Sequence, residues 1–66
     1  MIQLNLTTDE TLIMRDLAEN CLSDMRVEIH STDNISYKAM LRRRKEIVSQ
    51  LLHAVNEALE LEAEEL

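Results

Sequence analysis

"HSTDN", residues 30 to 34, separates two long stretches of apolar periodicity, and its reading decides the fold. The short side chains of Ser31, Thr32, Asp33 and Asn34 compete for neighbouring backbone groups, which favours caps and turns over helix interior. The chain contains neither Gly nor Pro. A tight reversal would therefore place Ser, Asn or Asp in the left-handed conformation, with Thr32 or Asp33 capping the segment that follows. The economical reading is a turn at 31–33 joining two antiparallel helices.

Upstream of the turn, Thr7 and Glu10 have the spacing of a capping box, and Asp9 suits the positive end of a helix dipole. From there Met14, Leu17, Ala18, Cys21, Leu22, Met25 and Ile29 fall on one broad helical face, with Ile13 at its margin. The first helix is expected over 9–30. Ahead of it, "MIQLNL" alternates apolar and polar residues and puts Ile2, Leu4 and Leu6 on one side, as in an extended arm at 1–6.

Downstream, Tyr37, Met40, Leu41, Ile47, Val48, Leu51, Leu52, Val55, Ala58 and Leu59 form a second apolar face, predicting a helix over 34–64. Five glutamates between Glu57 and Glu65 oppose the helix dipole and weaken its last turn. The second helix should outreach the first by about 10 residues, or ~15 Å at the rise of an α-helix. The arm has the right length to cover that overhang near Leu59 and Leu61, in its own chain or in a partner's.

The expected fold is all-α: one antiparallel two-helix hairpin with an extended N-terminal arm. A seam between two helices needs only a narrow apolar stripe, whereas these stripes are close to half of each helix. Two hairpins joined as a four-helix bundle would cover the excess, which predicts a homodimer.

Composition narrows the function. Sixty-six residues hold a single domain. One cysteine allows no intrachain disulfide, and no secretory leader or long apolar run is present, which together read as a cytoplasmic protein without a membrane anchor. A net charge of −6 argues against a general nucleic-acid binder.

The basic run Arg42-Arg43-Arg44-Lys45 has no single purpose, because successive helical residues point ~100° apart. Lys38, Arg42 and Lys45 form a short basic stripe, a possible partner surface, while Arg43 faces the other flank. Arg44 falls among Met40, Leu41, Ile47 and Val48 on the apolar face. Asp24 and Glu28 make the matching intrusion in the first helix. A turn at 31–34 puts side by side residues whose numbers sum to roughly 65, which brings Asp24, Glu28, Tyr37 and Arg44 into one polar cluster. Such a cluster fixes register and partner choice, or it holds a small anion at Arg44, or its long side chains simply reach out to water.

Catalysis and cofactors are not expected. His30, His53 and Cys21 match no compact zinc spacing, Cys21 sits in the apolar stripe as a small core residue, and a glycine-free chain has no phosphate-cradling loop.

Two resemblances accompany these readings. "LSDMRVEIHSTDNISYKAML", residues 22–41, resembles a Leu-Ser-Asp-x-Arg-x-Glu-Ile-x-x-Thr-Asp pattern of small uncharacterised bacterial α-hairpin proteins, implying a bacterial source and no particular activity. "SQLLH", Ser49 to His53, is similar to the Ser-Gln-x-Leu-Asp motif of sporulation phosphatases acting on aspartyl-phosphate. His53 stands where that motif has its essential aspartate. The leading expectation is a self-associating, non-catalytic interaction or adaptor protein with an unidentified protein partner. The alternatives are a small regulator that puts the Lys38, Arg42, Lys45 stripe on nucleic acid or an acidic protein, and, more remotely, a phosphatase-like regulator.

Overall fold

The computed structural model describes residues 1–65, with side chains to residue 63, and consists of two helices, α1 (Thr8–Ser31) and α2 (Ile35–Glu65), packed against each other as a hairpin. No helix among the described residues is long and apolar enough to cross a membrane. Leu66 and the side chains of Glu64 and Glu65, part of the acidic end, lie outside the described residues.

The start of α1 follows from its capping box. Thr7 Oγ1 accepts from the Glu10 N–H at 3.1 Å, and Glu10 Oε1 accepts from the Thr7 N–H at 2.9 Å. Two backbone donors that the first helical turn leaves without partners are thereby satisfied. The bond from the Thr7 backbone N–H, and then the Thr7 hydroxyl beside the carboxylate, hold the Glu10 carboxyl below its ordinary range.

The turn departs from the expected chemistry. No described residue has a positive φ; the reversal passes instead through Thr32 in an extended conformation (φ −90°, ψ 138°), whose N–H still reaches Glu28 O at 3.0 Å. A chain without glycine thus avoids the left-handed region, where a side chain collides with its own backbone. The cap of α2 is also displaced. Asn34, rather than Thr32 or Asp33, accepts the Tyr37 N–H on Oδ1 at 3.0 Å, and Thr32 Oγ1 supports Asn34 by accepting its N–H at 3.3 Å.

The seam is narrow. Ala18, Leu22 and Met25 of α1 and Leu41 and Val55 of α2 are buried, with Leu41 only 2% exposed. Cys21, Ile29, Val48 and Leu52 pack around Leu22, Met25 and Leu41 and are half-buried. Met14 and Leu59 are half-buried as well, and the other members of both stripes are left in water: Leu17 is 64% exposed and Ile47 51%, with Met40 and Leu51 similar.

The overhang at the open end is shorter than expected. The Thr8 hydroxyl donates to the Glu62 carboxylate, so the first residue of α1 already reaches the last turn of α2. The arm correspondingly lies nearer the turn than Leu59 and Leu61. Leu4 and Leu6 share a shallow groove with Met14, Leu51, Ala54 and Ala58.

Candidate functional site

The outward halves of the two stripes, part exposed and part half-buried, share one side of the hairpin. On α2, Met40, Ile47, Leu51 and Ala58 recur at helical spacing roughly a quarter-turn from the buried line of Leu41, Val48 and Val55. On α1, Met14, Leu17 and Cys21 are displaced from Leu22 and Met25 in the same sense. Because the helices are antiparallel, displacements of equal sense bring both sets to the same broad face. Two grooves lie along it: one pairs Leu17 and Cys21 with Tyr37 and Arg44, the other is the one that receives the arm.

All four members of the expected polar cluster stand on this face, near the turn. Asp24, Glu28, Tyr37 and Arg44 line a single groove, and each is exposed. Tyr37 Oη donates to Glu28 Oε2 at 3.1 Å, which joins the two helices just above the turn. That bond, and then the carboxylate charge, raise the Tyr37 hydroxyl above its ordinary pKa of 10.0, while Arg44 pulls the other way. Among the described residues neither Asp24 nor Arg44 has a hydrogen-bond or ion-pair partner. Arg44 sits at the rim of the apolar seam, flanked by Leu41 and Val48 on one side and by Met40 and Ile47 on the other.

The opposite broad face is polar. Arg42 is exposed there, Lys38 and Lys45 are half-buried at the edge of the seam on that side, and none of the three has an ion pair among the described residues. Arg43 is separate, paired with Glu46 at 3.9 Å. His53 is exposed and its Nε2 lies 3.1 Å from Glu57 Oε1 one turn on, so the histidine of "SQLLH" is joined to a neighbour on its own helix. Among the described residues no three metal-binding side chains stand together.

Sequence reasoning named Asp24, Glu28, Tyr37 and Arg44 but not Asn20, which lines the same groove, and did not separate the seam half of each stripe from the half facing outward. The signal was present in the width of the stripes.

The fold and its face define a two-sided helical hairpin, apolar on one broad side and charged on the other. No protein-family model matches the chain, and neither a characterised protein nor a solved structure is significantly similar to it.

Proposed function

We propose that this chain is a small non-catalytic interaction protein of the cytoplasm that works as a homodimer, two hairpins meeting through their apolar faces as a four-helix bundle. The observation that carries this reading is the placement of both outward half-stripes on one side, with Leu17, Met40, Ile47 and Leu51 exposed and only Leu4 and Leu6 of the chain's own arm lying along part of it. Scattered exposed apolar residues are ordinary, but a contiguous face of them marks an interaction surface. The hairpin measures 48 × 24 × 15 Å. A face of the two longer dimensions is ample for the ~800 Å² per partner that a stable interface uses. The small core supports the same reading, since only five side chains among the described residues are buried and small domains commonly depend on oligomerisation.

The adaptor role would fall to the charged side, which pairing leaves open. The exposed Arg42, with the half-buried Lys38 and Lys45 beside it, would meet an acidic protein there. Nucleic acid is the second ligand for that stripe, and steep loss of binding with added salt would identify phosphate contacts. Sedimentation over a concentration series tests the main reading. A folded hairpin that stays monomeric at high micromolar concentration overturns it.

A further inference from the structure

Resting on that dimer reading, we infer that the occupant of the apolar face is a second copy related by a two-fold axis parallel to the helices, with Arg44 of each copy paired to Asp24 of the other. Both turns then lie at the same end of the bundle, and α1 of each copy covers α2 of its mate.

Charge complementarity selects this arrangement. The face carries two charged groups without partners, Asp24 on α1 and Arg44 on α2, on opposite walls of one groove and at nearly the same height along the hairpin. Glu28 is already engaged by Tyr37. An axis parallel to the helices exchanges α1 for α2 and preserves height, so each Arg44 meets Asp24 of the second copy, with Glu28 one turn away. Both pairs form at once, because the contact is isologous.

The other in-plane two-fold, perpendicular to the helices, reverses one hairpin end for end. It lays α2 on α2 and, at full overlap, sets Arg44 over the groove of Leu4, Leu6, Ala54 and Ala58 and Asp24 over Met14 and Leu17. Each dimer would then bury four charges against apolar surface with no partner, which is strongly unfavourable. The apolar residues tolerate either packing, and the two charges discriminate between them.

A charge exchange tests the pairing in trans. Arg44→Glu alone and Asp24→Arg alone each bring like charges together twice per homodimer, and each should weaken self-association by more than ~10-fold. Mixing the two variants should give a heterodimer within ~3-fold of the original affinity, because both contacts regain opposite charges. If each variant self-associates as tightly as the parent, the pairing is wrong while the dimer reading stands. If the parent chain itself is monomeric, the dimer reading fails first, so the two failures are distinguishable. Should a variant fail to fold, spin labels at Asp33→Cys in a Cys21→Ser background locate the turns directly. Labels at one end of a bundle with interaxial distances of ~10 Å should lie roughly 20 Å apart. Separation near the 48 Å length of the hairpin would overturn the parallel axis.

Discussion

The Tyr37 hydroxyl and the Glu28 carboxylate meet at 3.1 Å across the mouth of the turn, joining the first turn of α2 to the last turn of α1. Tyr37 is the only aromatic residue of the chain, so phenolate absorbance reports this contact alone. The folded phenol holds its proton more tightly than the unfolded one. Its contribution to stability is therefore complete below the ordinary value of 10.0 and is lost as pH rises through the raised folded value. Glu28→Gln should bring the Tyr37 titration back toward 10.0, and an unchanged curve would show that the bond is not formed in solution.

Arg44 gives a concentration-dependent test of stability. In a lone hairpin it is exposed and unpaired, so Arg44→Ala should cost well under ~1 kcal/mol, no more than Arg43→Ala. In the dimer the same change leaves Asp24 of the second copy buried without its partner. The melting temperature should then drop for Arg44→Ala at high protein concentration and hardly at all for Arg43→Ala. Equal shifts across the concentration series would remove Arg44 from the interface.

The two caps make a matched pair. Thr7→Ala and Asn34→Ala should each cost about 1 kcal/mol, whereas Asp33→Ala should be close to neutral. Denaturant midpoints followed by helical circular dichroism measure this. The capping carboxylate adds an acid dependence: its folded pKa is depressed, so its contribution is present above the ordinary 4.5 and is lost as pH falls through the lower folded value. Glu10→Gln should flatten that part of the acid profile.

Removing residues 60–66 should leave dimerisation and partner binding nearly unchanged. Glu60, Leu61 and Glu62 are exposed, and terminal residues that bury little contribute little. The truncated chain loses the Thr8–Glu62 bond, an exposed contact, and a small decrease in melting temperature is expected. A truncated dimer that melts normally yet no longer recovers its protein partner from a lysate would instead place the docking element in these seven acidic and apolar residues.

The hairpin was readable from the sequence because its determinants are local. A capping box, two 3.6-residue periodicities and one cluster of turn formers each act within a few residues. Which residue capped α2 was not readable: Thr32, Asp33 and Asn34 can all accept an N–H, and the choice depends on the path of the turn. Whether Arg44 lies within the seam or at its edge was not readable for a related reason. A helical wheel shows that Arg44 falls within the apolar arc, but the centre of the seam is set by the other helix, along Leu41, Val48 and Leu52. Arg44 is consequently at the rim. The division of each stripe into a covered and an open half is likewise a property of two helices together.

The Thr8–Glu62 and Tyr37–Glu28 contacts differ in how much chain they enclose, 54 positions against nine. Closing the short segment costs less entropy, and each later contact between the helices is brought near by the one before it. Folding therefore zips from the turn toward the arm, and unzipping starts at the arm. Amide exchange should accordingly be slowest around Met25 and Leu41 and fastest near Thr8 and Glu62. In the proposed dimer the Arg44–Asp24 pair would sit in the half of the hairpin that forms early, so its specificity would be established before the open end has closed.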